Sequence, residues 1–115
     1  METTLYDTNV LIKLVREGVG RVSGFTTTLN LIEFPKAADL KGLRVIVPGT
    51  KDYDEAYGIS VKLMKAGTPV PATDIVQAAI AINRNLTLRT DDRHFEQVLV
   101  VRPKLRLQFA ESVPR

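Results

Sequence analysis

The sequence predicts an α/β domain in which helices pack against a parallel sheet. Segments with strand-like and helix-like apolar spacing alternate along the chain. The connections between them are short, and several contain glycine or proline. No repeat, low-complexity segment or linker interrupts this alternation, so we expect one domain over residues 1–115.

The composition is typical of a soluble globular protein. Hydrophobic residues make up 44% of the chain and charged residues 25%, which excludes the disordered and fibrous classes. The absence of cysteine excludes disulfides and thiolate metal sites. The N-terminal METTLYDTNV lacks the pattern of a signal peptide, and no apolar run reaches the about 20 residues of a membrane helix. We therefore expect a cytoplasmic protein.

The first half of the sequence predicts three strands and two helices. The strands are expected over residues 3–6, 25–28 and 43–47, and the helices over 8–16 and 29–40. Pro35 conflicts with the second helix, because an interior proline costs about 3 kcal/mol. A helix that begins at Asn30, or one that kinks, would accommodate this residue.

The second half predicts two longer helices and two strands. Asp52 is expected to be the N-cap of a helix that runs to about residue 66. The segment 74–84 is apolar nearly all round, which is typical of a buried helix. Residues 86–88 are expected to form a strand, 94–97 a helical turn, and either 98–101 or 105–109 the last strand.

Positive charge is concentrated at the C-terminal end. The net charge is +3, and the tail from about residue 102 holds four cations and one acid, 4 − 1 = +3. These residues are Arg102, Lys104, Arg106, Glu111 and Arg115. A basic tail beside acidic residues suits a polyanionic partner held near a cation. A solvated terminal strand with basic residues on its outer face explains the tail equally well.

Carboxylates from four segments are expected at one edge of the sheet. In a parallel sheet, the carboxyl ends of the strands and the amino ends of the following helices lie at the same edge, where ligands bind. The residues are Asp7 after the first strand, Glu33 in the helix after the second, Asp74 at the start of the buried helix, and Asp91 and Asp92 after the strand 86–88.

Such a concentration of acids requires a countercharge. Two carboxylates about 4 Å apart repel by about 4 kcal/mol at an effective dielectric constant of 20. Mg²⁺ or Mn²⁺ would supply the charge, because hard divalent ions take oxygen ligands, lower the pKa of a bound water and neutralise charge on a phosphoryl oxygen. Thr8, Asn9 and Thr90 are candidates for orienting the carboxylates or metal-bound waters. His94 is more typical of a surface or interface position, and we assign it no role.

Each acid also has a purely structural explanation. Asp7 and Asp74 are suitable helix N-caps. Glu33 lies three residues after Asn30, which is capping-box spacing. The Asp91-Asp92 pair suits a turn. None of these explanations accounts for the placement of all the acids at one edge.

Three segments resemble the PIN domain, specifically the VapC-type toxins of toxin–antitoxin pairs. They are LYDTNVLIKLV, TTLNLIEFPKA and PATDIVQAAIAINRNLTLRTDDRHFEQV, which run from the first strand to about Val98 and leave the basic tail uncovered. The last segment is the most specific, with an aspartate that opens an alanine-rich helix, a strand, T-x-D and an aromatic residue. D-T-N alone is a weak signal, whereas the ordered set of all these motifs is strong.

The resemblance implies a three-layer α/β/α sandwich with a central, mostly parallel sheet. It also implies a metal-dependent endoribonuclease that is a homodimer and is silenced by a cognate antitoxin across its acidic cleft. The catalytic and metal-binding residues carried over by motif are Asp7, Glu33, Asp74 and Asp92. They would hold Mg²⁺ or Mn²⁺ that activates water for in-line attack on an RNA phosphodiester. Asp91 occupies a position that varies in the family.

Several alternatives remain open. The interval between Glu33 and Asp74 is shorter than is usual in the family, which leaves the RNA substrate and the antitoxin contacts open. An RNA-processing nuclease that is not a toxin, or an inactive PIN-like module that binds RNA or protein, would resemble the same family. A response-regulator receiver needs paired acids after the first strand, and a haloacid-dehalogenase-type phosphatase needs D-x-D there. The D-T-N at residues 7–9 fits neither class.

Overall fold

The structure is a computed structural model, and it describes residues 3–110. The strands of this region form one sheet in the order β3-β2-β1-β4-β5, and every pairing is parallel. They are β1 (Thr4–Tyr6), β2 (Arg21–Thr27), β3 (Lys41–Ile46), β4 (Thr87–Thr90) and β5 (Arg106–Phe109). Because parallel neighbours need a crossover connection, a helical segment follows each of the strands β1 to β4 and returns the chain.

Helices cover both faces of the sheet. They are α1 (Thr8–Arg16), α2 (Thr28–Glu33), a 3₁₀ helix (Pro35–Asp39), α3 (Thr50–Ala66), α4 (Ala72–Arg84) and α5 (Phe95–Val101). Successive side chains of a strand point to opposite faces. Leu5 accordingly packs in a core with residues of α3, α4 and α5, whereas Tyr6 packs with residues of α1 and the 3₁₀ helix. The expected three-layer α/β/α sandwich with a parallel central sheet is confirmed.

Pro35 ends the second predicted helix. Helix α2 stops at Glu33, and Pro35 is the first residue of the 3₁₀ helix, a position whose N–H would have no partner within the helix. The prediction of one helix over 29–40 is therefore wrong. Thr27 caps α2 by accepting the backbone N–H of Asn30 at 3.2 Å. Asn30 thus lies inside the helix and does not form a capping box with Glu33.

Two helices begin before the aspartates that were expected to start them. The N-cap of α3 is Gly49, and Asp52 is the third helical residue, whose Oδ2 accepts the Gly49 N–H at 2.8 Å. Helix α4 begins at Ala72, so Asp74 lies in its first turn rather than at its cap. The N-cap prediction is wrong by three residues for Asp52, although this side chain still satisfies a backbone donor at the helix start.

The last strand is the second of the two candidates. Residues 98–101 belong to α5, and β5 lies within 105–109. Of the basic tail, Arg102 pairs with Glu55 at 3.0 Å, and Lys104 and Arg106 are exposed. Glu111 and Arg115 lie outside the described residues. Within residues 3–110, no helix has the length and apolar character needed to span a membrane.

The strand order creates a crevice between β1 and β4. From β1 the chain proceeds outward to β2 and β3, and it then returns to the other side of β1 for β4 and β5. Helix α1 leaves β1 over one face of the sheet and α5 leaves β4 over the other. Open α/β sheets bind ligands at such a switch point, outside the carboxyl ends of the strands. Asp7 follows β1 and Asp92 follows β4, so both lie at this point.

Candidate functional site

Four of the predicted acids converge at this switch point and form what we call the acidic cluster. Its members are Asp7, Glu33, Asp74 and Asp92. Asp7 follows β1, Glu33 ends α2, Asp74 lies in the first turn of α4, and Asp92 follows β4. The charges of the other three all act on Asp74. Segments that are far apart in sequence thus bring their carboxylates to one place, as the parallel topology predicts.

Four donors hold the carboxylate of Asp7, which is 5% exposed. Its Oδ1 accepts the backbone N–H of Thr8 at 2.8 Å and the side-chain amide of Gln77 at 2.9 Å. Its Oδ2 accepts the hydroxyl of Thr90 at 2.7 Å and the amide of Asn9 at 3.3 Å. A carboxylate has about four lone-pair sites, so these donors fix its orientation. Asp7 is therefore both the N-cap of α1 and a member of the acidic cluster.

Thr8, Asn9 and Thr90 each contact a member of the acidic cluster. The hydroxyl of Thr90, besides donating to Asp7, accepts the backbone N–H of Asp92 at 2.9 Å. The hydroxyl of Thr8 donates to Glu33 Oε1 at 2.9 Å. The amide of Asn9 lies between the carboxylate of Asp7 and the hydroxyl of Thr90, at 3.3 and 3.4 Å. These three side chains connect the loops after β1 and β4 to each other and to α2.

Two buried amides with no role in the sequence prediction support Asp7. Gln77 is 2% exposed and Asn30 is 1% exposed. Asn30 Nδ2 donates to Gln77 Oε1 at 2.6 Å, and Gln77 in turn donates to Asp7. Asn30 Nδ2 also lies 3.0 Å from the backbone carbonyl of Tyr6. The signal that the sequence did offer is Gln77, an amide among the apolar residues of the helix 74–84, since a buried polar group requires a partner.

Asp74 is the member of the acidic cluster whose pKa is raised by its surroundings. Burial and the charges of Asp7 and Asp92 raise the pKa of Asp74 from the usual 3.8 to about 7; Glu33 raises it further, and His94 acts in the opposite direction. The raised value means that burial and the neighbouring carboxylates together disfavour the ionised form of Asp74. A cation bound beside Asp74 would favour the ionised form.

Asp74, Asp92 and His94 form a donor set that fits a divalent ion. Each offers one ligand atom, and these atoms all lie within 4.8 Å of one another. His94 is 54% exposed, as expected for a surface position, yet its Nδ1 lies 3.2 Å from Asp92 Oδ1 and 3.9 Å from Asp74 Oδ2. Carboxylate oxygens suit Mg²⁺ and Mn²⁺, and imidazole nitrogen suits transition-metal ions. Among residues 3–110, this is the one group of three or more such side chains close enough for a shared ion.

The two adjacent aspartates of TDDRHF have different environments. Asp91 Oδ2 forms an ion pair with Lys13, and the backbone N–H of Asp91 donates to Asn9 Oδ1 at 3.1 Å. Asp92 Oδ1 accepts the backbone N–H of His94 at 2.9 Å, which closes a tight turn. One of the pair is thus neutralised by a lysine, and the other belongs to the acidic cluster. This division explains how the chain tolerates adjacent carboxylates.

No family model and no curated protein sequence matches this chain. Solved structures do match it. A chain of the VapBC2 structure from Rickettsia felis, bound to a DNA fragment of the promoter, aligns with a TM-score of 0.76 and 17% identity over 92% of this chain and 97% of that one. A chain of DNA-bound VapBC from Salmonella typhimurium aligns with a TM-score of 0.75 and 22% identity, over 95% and 98%.

A third similar chain comes from a toxin–antitoxin complex of Klebsiella pneumoniae, with a TM-score of 0.61, 16% identity and coverage of 80% and 89%. At these identities the similarity establishes the fold. The chain therefore has the PIN-like α/β/α fold that it shares with chains of two VapBC structures and of a further toxin–antitoxin complex.

Proposed function

We propose that this protein is an endoribonuclease that requires Mg²⁺ or Mn²⁺, hydrolyses RNA phosphodiesters and is the toxin of a type II toxin–antitoxin pair. The observation that carries the proposal is the acidic cluster at the switch point of the sheet. Four carboxylates from four segments would repel one another without a cation. Their position is the one at which folds of this class bind ligands.

The proposed metal-binding and catalytic residues are Asp7, Glu33, Asp74 and Asp92. Among them, Asp74 and Asp92 are the best placed for direct contact with an ion, because their oxygens approach each other within 4.8 Å. When bound, such an ion supplies a water of lowered pKa and positive charge for a phosphoryl oxygen.

Asp7 and Glu33 have different surroundings and therefore different proposed roles. Asp7 is buried and held by four donors, so it provides fixed negative charge beside Asp74. Glu33 is exposed, and the Thr8 hydroxyl holds its Oε1. It is thus available to orient a substrate group or to accept a proton at the solvent side of the site.

Exposed cations support a polyanionic substrate. Lys104 and Arg106 lie at and beside β5, the neighbour of β4, and their side chains are exposed. Lys13 is 46% exposed and reaches Asp91, the residue next to the cluster. We propose that these side chains contact RNA phosphates, which attract lysine and arginine regardless of base sequence.

A cognate antitoxin and a second copy of the chain are the proposed protein partners, and the cytoplasm is the proposed location. The similar folds occur in structures named as VapBC and toxin–antitoxin complexes, which supports an antitoxin. Tyr53, Tyr57 and Met64 of α3 are 54%, 73% and 72% exposed. Large exposed apolar side chains on one helix are typical of protein-binding surfaces. A single domain over residues 1–115 remains a prediction.

The test of the nuclease proposal compares the wild-type protein with Asp74→Asn and with a matched control, Asp39→Asn. Asp39 is exposed and ends the 3₁₀ helix before β3, at the opposite edge of the sheet. Cleavage of a single-stranded RNA would be followed with Mn²⁺ and with chelator. We expect chelator to abolish cleavage, Asp74→Asn to reduce it at least about 100-fold, and Asp39→Asn to leave it unchanged. Equal rates for wild type and Asp74→Asn would refute the assignment.

Toxicity requires a separate measurement. Induced expression of the wild-type protein should arrest growth, and expression of Asp74→Asn should not. Metal-dependent cleavage without growth arrest would identify a nuclease that is not a toxin. RNA binding without cleavage under any metal condition would identify an inactive module.

A further inference from the structure

We propose that His94 is a direct ligand of the divalent ion, together with Asp74 and Asp92, and that it shifts the preference of the site from Mg²⁺ toward Mn²⁺. This inference rests on the proposed metal-dependent function. The sequence alone assigned no role to His94.

The distances around His94 are those of ligands that share one ion. Donor atoms at about 2.1 Å from an octahedral ion lie about 3.0 Å apart when adjacent and about 4.2 Å apart when opposite. His94 Nδ1 lies 3.2 Å from Asp92 Oδ1 and 3.9 Å from Asp74 Oδ2. Both separations fall within this range, so the three side chains can contact one ion with little rearrangement.

The backbone places His94 at this position. The turn after β4 is closed by the hydrogen bond from the His94 N–H to Asp92 Oδ1 at 2.9 Å. His94 then precedes the first residue of α5 as its N-cap. A ligand two residues after Asp92 is thus held next to it by the same turn. The imidazole is the nitrogen donor of the set, and its neighbours are carboxylates rather than cations.

Direct contact of Asp7 with the ion would require a rearrangement of its hydrogen bonds. All of its approximately four lone-pair sites already accept hydrogen bonds, and three of these bonds are 2.7–2.9 Å long. Coordination through Asp7 would require the loss of at least one donor, of which Asn9 at 3.3 Å is the weakest. An ion in contact with Asp7 would therefore displace one of these donors, whereas the half-exposed His94 can meet the ion without displacing any donor of Asp7.

Nitrogen ligation predicts a specific ion preference. Mg²⁺ prefers oxygen ligands and keeps several waters, whereas Mn²⁺, a first-row transition-metal ion, accepts an imidazole nitrogen more readily than Mg²⁺ does. Removing the imidazole should therefore weaken Mn²⁺ binding more than Mg²⁺ binding. A His94 that merely paired with the carboxylates as a cation would compete with either ion, and its removal would strengthen the binding of both.

The experiment measures Mn²⁺ bound to the full chain by pulsed electron paramagnetic resonance. His94 is the one histidine in the sequence, so an imidazole nitrogen coupled to Mn²⁺ can be assigned to it. The expected wild-type spectrum contains this coupling, and labelling with ¹⁵N-histidine changes it. The coupling should be absent in His94→Ala and present in the control Asp39→Asn. Titrations should show the Kd for Mn²⁺ rising about tenfold or more in His94→Ala, and the Kd for Mg²⁺ rising less than about threefold.

Two outcomes would overturn the inference, and they differ from failure of the proposed function. Mn²⁺ bound without imidazole coupling would exclude His94 as a ligand while leaving a carboxylate metal site in place. Tighter binding of both ions by His94→Ala would show that His94 is a competing cation. If the wild-type protein bound neither ion, the metal-dependent function itself would fail. Because the wild-type spectrum is sufficient, the test does not depend on the folding of a variant.

Discussion

At the scale of single residues, the site depends on uncharged groups as much as on its acids. A buried carboxylate is stable only when donors replace the water that it loses. Asp7 has four such donors, and one of them, Gln77, is itself positioned by Asn30. Asn30 is in turn anchored to the backbone of β1 through the carbonyl of Tyr6. Two amides thus connect the sheet to the carboxylate of Asp7.

Replacing Gln77 by leucine tests this connection. The substitution keeps the volume approximately constant but removes the donor to Asp7 and the acceptor for Asn30. Asn30 retains the Tyr6 carbonyl and the Thr26 hydroxyl as partners, so the fold should survive with a loss of about 1–3 kcal/mol in the free energy of unfolding. We expect the kcat for RNA cleavage to fall about 10–100-fold.

The control is Gln108→Leu, the same substitution at an exposed position of β5. It should change neither stability nor kcat appreciably. If Gln77→Leu lost stability by the expected amount but cleaved RNA at the wild-type kcat, then Gln77 would support the fold and not the site. Measuring kcat and KM separately distinguishes misplacement of Asp7 from weaker RNA binding.

The acids of the site could be predicted from the sequence, and the amides could not. A parallel sheet brings strand ends and helix starts to one edge, and this predicts that five acids lie there: Asp7, Glu33, Asp74, Asp91 and Asp92. The choice of Asp92 over Asp91 follows only from the resemblance to PIN domains. The contact between Asn30 and Gln77 joins residues 47 positions apart. No local pattern specifies such a pair, because it depends on the side-chain packing between α2 and α4.

At the scale of secondary-structure elements, an ion pair between a buried aspartate and an exposed arginine joins the two longest helices. Asp52, which is 2% exposed, lies in the first turn of α3, and both its oxygens contact the guanidinium of Arg84 in the last turn of α4, at 2.7 and 3.0 Å. Burial raises the pKa of Asp52, but the hydrogen bonds from Arg84, Gly49 and Asn83 outweigh it and hold this pKa below its ordinary value. The same carboxylate thus caps one helix and anchors the end of the other.

We predict that Asp52→Asn lowers the free energy of unfolding by about 1.5–3 kcal/mol, because charged hydrogen bonds to Arg84 are lost. Chemical unfolding near neutral pH would measure this loss. The matched control is Asp54→Asn, two residues away on the same helix and exposed. It should change stability by less than about 0.5 kcal/mol. If both substitutions lowered the free energy of unfolding equally, the loss would reflect the change in net charge, and the ion pair itself would contribute no stability.

The elements themselves were predicted in type and order, but their ends were not. Pro35 was identified as incompatible with a helix interior, yet the sequence did not indicate that the chain would restart as a 3₁₀ helix immediately afterwards. Asp52 was expected at a cap because of its residue type, whereas Gly49 takes the cap and Asp52 the third helical position. Both errors arise because several neighbouring residues satisfy the same local rule, and tertiary contacts such as that with Arg84 decide among them.

At the scale of the whole molecule, the carboxylates of the acidic cluster destabilise the folded state when no cation is bound. The parallel sheet brings four carboxylates to one edge, where burial of Asp74 and the charges of Asp7 and Asp92 raise the pKa of Asp74 from 3.8 to about 7. In the unfolded chain the same aspartate has its ordinary pKa. The folded state therefore binds a proton that the unfolded state releases between about pH 4 and pH 7. Without a metal ion, the contribution of Asp74 to the free energy of unfolding therefore falls as the pH rises through this interval.

The last prediction follows from this proton linkage. The amide in Asp74→Asn cannot ionise. In chelator, the free energy of unfolding of this variant should therefore be about that of the wild-type protein at pH 4, and exceed it by on the order of 2–4 kcal/mol above pH 7. Urea unfolding across this pH range would measure the difference, and Asp39→Asn should follow the wild-type curve. Above pH 7, Mn²⁺ at 100 times its Kd should raise the free energy of unfolding of the wild-type protein by about 2.7 kcal/mol. The same ion should stabilise Asp74→Asn far less. If the free energies of unfolding of wild type and Asp74→Asn changed with pH in parallel in chelator, the fold would not disfavour the ionised form of Asp74. The physical reason for a cation at this edge would then be lost.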